Sequence, residues 1–230
     1  HRDAIGTDEN KVKPVFTYNG KKGAQIMILA GCDSEGERGF DCWEENLNFA
    51  LKIQDKTETL FSFLTSQNNR IPRIKSIIER TCSARGVKNS FSGEEYYSFP
   101  SPEELFDEDL GFYNGLGYGY RSDFIRSTAK RLIENADELD KMTALSTKEL
   151  KESLMSFKGV GPKVADCVSL FAYHKTDAFP VDTWIEKLYR EDFNGAEKNR
   201  NKINEFFVNS FGEDSGYIQQ YVFYYKRSIV

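Results

Sequence analysis

The segment Leu154-Met-Ser-Phe-Lys-Gly-Val-Gly-Pro-Lys163-Val-Ala-Asp-Cys167 constrains the fold of this chain more than any other. A helix ending at Phe157-Lys158 runs into Gly159-Val160-Gly161, which can turn tightly because glycine tolerates φ > 0. Pro162 then stands where a new helix would begin, at the first helical position that its fixed φ and missing N–H favour. The reading is helix, hairpin turn, helix, over about residues 150–173. Such a turn presents backbone N–H groups at a helix N-terminus, a site for a phosphate that carries no base-sequence information. An ordinary glycine connection between two helices reads the same way in isolation, so the neighbouring residues must decide.

Three neighbours bear on that choice. Lys163 falls in the first turn of the second helix, where the helix dipole disfavours a cation; a desolvated amine there could act as a nucleophile. Nineteen residues on, Phe179-Pro180-Val181-Asp182 places an aspartate just before a helix over 183–190. N-capping and catalysis are compatible roles for Asp182, because capping fixes the direction of the carboxylate. Cys167 lies four residues after Lys163, on the same helical face.

The remainder of the chain supports a mainly helical body. From Thr57 onward nearly every segment has helical periodicity. Ile71, Ile74, Ile77 and Ile78 form one stripe, and Ile125, Ala129, Leu132 and Ile133 form another. Further helices are expected over 103–110, 147–156, 163–173, 183–190, 199–210 and 216–227. Residues 1–53 differ: they hold short strand-like runs broken by Asn19-Gly20 and Gly23, and read as a small α/β segment ahead of a helical body over 54–230. With 39% hydrophobic residues, 18 Phe and 12 Tyr, the chain is neither disordered nor a disulfide-dense mini-protein. No apolar run approaches the roughly 20 residues of a membrane span. Cys32, Cys42, Cys82 and Cys167 are irregularly spaced and read as reduced thiols.

A net charge of −5 argues, by itself, against a nucleic-acid partner. The charge is segregated, however. Residues 31–45 carry −5 and residues 91–110 carry −7, which leaves +7 on everything else. The stretch 61–90 alone carries +5, from Arg70, Arg73, Lys75, Arg80, Arg85 and Lys88 against Glu79. An anionic partner facing away from both acidic blocks is therefore permitted.

These pieces together resemble the helix–hairpin–helix DNA glycosylases of the HhH-GPD superfamily, and among them the 8-oxoguanine DNA glycosylase/AP lyases. Phe61-Ser-Phe-Leu-Thr-Ser-Gln-Asn68-Asn69-Arg-Ile-Pro-Arg73-Ile is similar to the family's asparagine-rich segment. Tyr97-Ser-Phe-Pro-Ser101 fits its turn before the next helix, and Gly117-Tyr-Gly-Tyr120-Arg121 resembles its wedge region. Gly216-Tyr-Ile-Gln219-Gln-Tyr-Val-Phe223 is similar to its base-contacting C-terminal helix. The resemblance covers about residues 54–230 in the family's order, and Pro-Val-Asp182-Thr-Trp184 suits its bacterial type. It implies a two-lobed helical fold and a bifunctional enzyme: an N-glycosylase, hydrolysing N-glycosyl bonds, with abasic-site lyase activity.

The resemblance also implies roles for single residues. Lys163 would attack C1′ of the damaged nucleoside and form a Schiff base, and Asp182 would orient it and stabilise the oxocarbenium-like sugar. Cys167 and Phe223 would sandwich the flipped base, and Gln219 would bond its Watson–Crick edge. Asn68, Arg73 and Arg121 would read the orphaned cytosine. Tyr120, or Tyr118 in its place, would wedge into the stack. Gly159, Val160 and Gly161 would hold a phosphate. These roles suit the chemistry, since a base must leave the duplex to be attacked and a wedge must fill the gap. The implied partner is double-stranded DNA containing 8-oxoguanine, met by a cytoplasmic monomer without a membrane segment.

No metal or organic cofactor is implied. The cysteines do not make the C-x6-C-x2-C-x5-C iron–sulfur loop of the endonuclease III branch, and Cys32 and Cys42 match no zinc finger. The family's eukaryotic members carry a large β domain before the matched region, which donates a carbonyl to N7–H of the lesion; here about 55 residues precede the match. Two other readings stay open at this point. One is an alkylated-base glycosylase using Asp182 and water, against which Lys163 argues. The other is a non-catalytic helix–hairpin–helix DNA-binding module, which needs neither Lys163 nor Asp182.

Overall fold

Short polar caps divide the chain into helices. In the computed structural model, which describes residues 54–91 and 94–228, Asp55 caps α1 (Lys56–Ser66) by accepting from the Glu58 N–H at 2.8 Å. Pro72 then opens α2 (Ile71–Arg85) in its first turn. The expected isoleucine stripe of α2 turns inward at Ile77, extended by Thr81 and Cys82. A hairpin of β1 (Lys88–Phe91) and β2 (Glu94–Tyr97) follows, with Lys88 opposite Tyr97 and Asn89 opposite Tyr96. This sheet departs from the all-helical expectation after Thr57. The acids of this stretch drew attention to charge, whereas Tyr96 and Tyr97 favour extended backbone.

A second departure concerns 103–110, expected as one helix. The chain makes two, α3 (Pro102–Phe106) and α4 (Leu110–Leu116), because Asp109 accepts from the Phe112 N–H at 2.8 Å and starts a helix afresh. Then come α5 (Arg121–Glu134), the short α6 (Glu138–Lys141) and α7 (Thr147–Met155), the last opened by a reciprocal Ser146/Glu149 capping box. α8 (Pro162–Tyr173) closes on His174 in the left-handed conformation at φ 54°. α9 (Thr183–Asp192), α10 (Arg200–Phe211) and α11 (Ser215–Ser228) complete the fold.

Among the described residues there are three apolar clusters, and the two larger ones mark two lobes. The first gathers Leu60, Phe61 and Leu64 of α1, Ile125 and Ala129 of α5, and Val164, Ala165 and Val168 of α8. The second sits among α9, α10 and α11, where Phe179 stacks on Phe207 at 4.5 Å. α8 is buried along nearly its whole length and lies between α1 and α7. A helix apolar on almost every side must be central. The two lobes meet behind it: Asp166 of α8 pairs with Lys151 of α7 at 2.6 Å and accepts from Asn204 of α10 at 3.2 Å. Residues 1–53, with their expected strand-like runs, Cys32, Cys42 and the acids of 31–45, lie outside the described residues.

Candidate active site

The hairpin turn has the geometry its sequence requires. Gly159 adopts φ 85°, and a Cβ there would lie 2.5 Å from the ring of Phe124. Only glycine fits both the dihedral and the contact. The Val160 N–H turns inward to the Phe157 carbonyl at 3.0 Å, and its side chain is buried. Val160 therefore fixes the turn's shape, and its N–H is not among those aimed outward. Gly161 is the N-cap of α8 and offers no side-chain acceptor. The first-turn N–H groups of α8 are thus left for an external anion.

Lys163 is the second residue of α8, and its Nζ stands 5.2 Å from the ring centroid of Phe63. That ring stacks on Phe171 at 5.6 Å, giving the lysine an aromatic wall. One helical turn on, the Cys167 thiol is buried. Burial pushes its pKa up to about 11, with Lys163 opposing the rise and Asp166 and Asp182 adding to it. So high a pKa makes Cys167 an inert apolar surface rather than a second nucleophile.

Asp182 caps α9. Its Oδ1 accepts from the N–H groups of Trp184 and Ile185, both at 3.0 Å, which leaves Oδ2 for another partner. The preceding residues are anchored, since Phe179 and Val181 lie in the second core and the Pro180 carbonyl accepts from Gln219 Nε2 at 3.1 Å. The carboxylate is therefore aimed by backbone on both sides. Gln219 is only 4% exposed, and its Oε1 accepts from Gln220. Its amide ties α11 to the segment before Asp182, and the second N–H and second oxygen lone pair of that amide are what it can offer a base edge. Phe223, two-thirds of the way along α11, is half-buried against the second core.

A second group forms where α1 meets α2 and α4 meets α5. Asn68 turns the chain at φ 45°, a left-handed conformation asparagine tolerates. Arg121, 5% exposed, reaches across to that turn. Its Nε donates to the Gln67 carbonyl at 2.8 Å, its Nη2 donates to the carbonyls of Gln67 and of Asn68 (3.0 Å), and its Nη1 donates to that of Tyr118 at 3.2 Å. Arg73 Nη2 donates to the Gly117 carbonyl at 3.2 Å. Both guanidinium groups assigned to the opposite base thus hold backbone carbonyls in the free chain.

The two candidate wedges differ sharply. Tyr118 is 1% exposed and its hydroxyl lies 2.9 Å from Thr81 Oγ1, with burial pushing its pKa up to about 12. Tyr120 is 55% exposed, with the Arg121 guanidinium over its ring at 4.5 Å and Phe124 edge-on at 5.7 Å. Only Tyr120 of the pair can meet a partner. Sequence reasoning did not single out Phe63 and Phe124, which wall Lys163 and support the hairpin, or Arg80, whose spacing of seven from Arg73 on one helix was the available signal. Among the described residues, no group of three or more His, Cys, Asp and Glu side chains is placed to hold a metal ion, and no helix is long and apolar enough to cross a membrane.

Known proteins are similar to this chain in sequence and in fold. No family model matches the chain. A probable N-glycosylase/DNA lyase of Methanothermobacter thermautotrophicus is 32% identical over 212 residues, covering 80% of this chain and 68% of that protein. The N-glycosylase/DNA lyase of Saccharomyces cerevisiae is 35% identical over 168 residues, 67% of this chain but 44% of the yeast protein. This chain therefore spans about two thirds of the archaeal relative and less than half of the yeast one. The crystal structure of Clostridium acetobutylicum 8-oxoguanine glycosylase/lyase with double-stranded DNA containing cytosine opposite 8-oxoG superposes with a TM-score of 0.72 at 34% identity. That match covers 81% of this chain and 69% of the other. At this identity and coverage, the chain belongs to the N-glycosylase/DNA lyase family of helix–hairpin–helix DNA glycosylases.

Proposed function

We propose that this chain excises 8-oxoguanine opposite cytosine in double-stranded DNA and then cleaves the abasic strand. One observation carries the reading: the glycine hairpin sets Lys163 in the first turn of a buried helix against the Phe63 ring, and two backbone N–H groups aim the Asp182 carboxylate. The Lys163 amine attacks C1′, the glycosidic bond breaks with its electrons leaving on the base, and the proton that the amine sheds as the new C–N bond forms goes to the departing base. Asp182 Oδ2 faces the positive charge that develops on the sugar. Opening of the sugar ring gives an iminium on Lys163, which acidifies the C2′ proton. Loss of that proton expels the 3′ phosphate, and water then releases the lysine.

The surroundings fit such a path. Cys167 and Phe223 offer apolar faces for a flipped purine, and Gln219 an amide for its Watson–Crick edge. Asn68, Arg73 and Arg121 supply donors for the O2 and N3 acceptors of cytosine, while Tyr120 fills the vacated stack. The first turn of α8, with Gly159 and Gly161 before it, takes a phosphate. The acids from Glu95 to Asp109 face away from the duplex. The protein works as a monomer in the cytoplasm.

The test uses a duplex with one 8-oxoguanine opposite cytosine. Strand scission without added alkali, leaving an unsaturated 3′ aldehyde, is the expected result. Scission only after alkali would mean that water displaces the base and would refute the lysine mechanism.

A further inference from the structure

Three consecutive carbonyls at the C-terminus of α4 are held by two arginines of α2. Arg80 donates from Nη1 to Gly115 at 3.4 Å and from Nη2 to Leu116 at 2.5 Å, and Arg73 donates to Gly117 at 3.2 Å. The arginines are seven residues apart, two turns along one face. Terminal helix carbonyls lack intrahelical partners and carry the negative end of the dipole, so a guanidinium fork suits them. Arg80 is also oriented in advance, its Nε donating to its own Ser76 carbonyl at 3.1 Å. Among the described residues neither arginine joins an ion pair.

The carbonyls belong to the segment that presents the wedge. Gly117 leaves α4 at φ 89°, Tyr118 anchors to Thr81, the neighbour of Arg80, and Gly119 leads to the exposed Tyr120. One helix therefore grips residues 115–118 through four successive contacts from three side chains. Their exchangeability differs. Arg73 holds the last carbonyl by a single bond, whereas Arg80 forks over the two before it.

We propose that Arg80 is a positioning residue for opposite-base reading: it holds the wedge turn in place while Arg73 leaves the Gly117 carbonyl for the orphaned base. This rests on the proposed roles of Arg73 and Tyr120. The Gly117 carbonyl stands in for the base acceptor in the free chain, so reading the base is an exchange of one acceptor for another. Without Arg80, that exchange strips every side-chain donor from the end of α4.

The experiment compares Arg80→Ala, Arg80→Lys and Arg73→Ala with the wild type. Three rates are measured: excision of 8-oxoguanine opposite cytosine, excision opposite adenine, and cleavage of a preformed abasic site. Loss of a charged hydrogen-bond pair predicts that R80A lowers excision opposite cytosine, and its preference over adenine, by about tenfold. Abasic-site cleavage, which needs no base extrusion, falls far less. R80K keeps the charge but not the fork, and lies between. A merely structural role would lower all three rates in proportion, and that result overturns the proposal, as does a wild-type preference in folded R80A or R80K. If R73A loses the preference while the Arg80 variants keep it, only the role of Arg80 falls. A wild type with no preference for cytosine removes the reading on which the proposal rests.

Discussion

The lysine side and the wedge side of this molecule are held by different means. Around Lys163 and Asp182, position comes from backbone: a glycine turn, a proline at the first helical position, and an N-cap whose Oδ1 takes two N–H groups. Around Tyr120, position comes from long side chains reaching carbonyls 44 and 54 residues away in sequence, from Arg73 to Gly117 and from Arg121 to Gln67. Backbone capping cannot be exchanged for substrate contacts without unwinding a helix, whereas a guanidinium can trade one acceptor for another. The chemistry is therefore set in advance, and the recognition of the opposite base is made by exchange.

Variants on the two sides should fail in different ways. The largest effect is expected from Lys163→Gln, which removes the nucleophile and should lower excision and abasic-site cleavage by at least about 10³-fold. Its thermal midpoint should stay near that of the wild type, because a first-turn glutamine leaves the helix intact. Next comes Asp182→Asn. Asparagine caps as well as aspartate, so the fold should hold while excision drops about 10²-fold through loss of the negative charge. Asp182→Ala should lose about 1 kcal/mol of stability in addition. If D182N unfolds as readily as D182A, the amide does not replace the cap and the division between capping and charge fails.

On the wedge side, effects are smaller and separable. Tyr120→Ala should slow excision by about tenfold and shift the thermal midpoint little, because the ring is 55% exposed and gives up only its contacts with Arg121 and Phe124. Tyr118→Phe should do the reverse, costing about 1 kcal/mol for its bond to Thr81 and leaving the preference for cytosine alone. An effect of Y118F on base preference would return the wedge role to Tyr118.

The contrast explains what could be read in advance. Helix–turn–helix geometry at 154–167 and the cap at Asp182 are local, so glycine, proline and aspartate announce them. The hairpin of β1 and β2 straddles the border between a basic and an acidic stretch, and the break at Asp109 falls inside the acidic one, so the charge pattern masks short strand and cap signals. The engagement of Arg73 and Arg121 by carbonyls is invisible in sequence, because every residue offers a carbonyl and only the fold selects which ones meet. The same holds for Gln219, whose amide partner is a proline carbonyl 39 residues away.

The smallest effect concerns the junction of the lobes behind α8. Burial raises the pKa of Asp166 from 3.8 to about 6, although Lys151 and Asn204 pull it down. The folded chain then holds one more proton than the unfolded chain between those values, so this group's contribution to stability falls as pH rises through that window. Relative to Asp166→Asn, the wild type should lose thermal stability between about pH 4 and pH 6. A constant difference across that range would show that Asp166 is already ionised at its site.

The central claim is that the lysine of a pre-set hairpin becomes covalently joined to DNA. Borohydride added during turnover of the 8-oxoguanine:cytosine duplex reduces any imine to a stable amine. The account predicts one protein–DNA adduct, mapped by mass spectrometry to Lys163 and absent in Lys163→Gln. Folded, active protein that gives no adduct, or an adduct that persists in that variant, would contradict it.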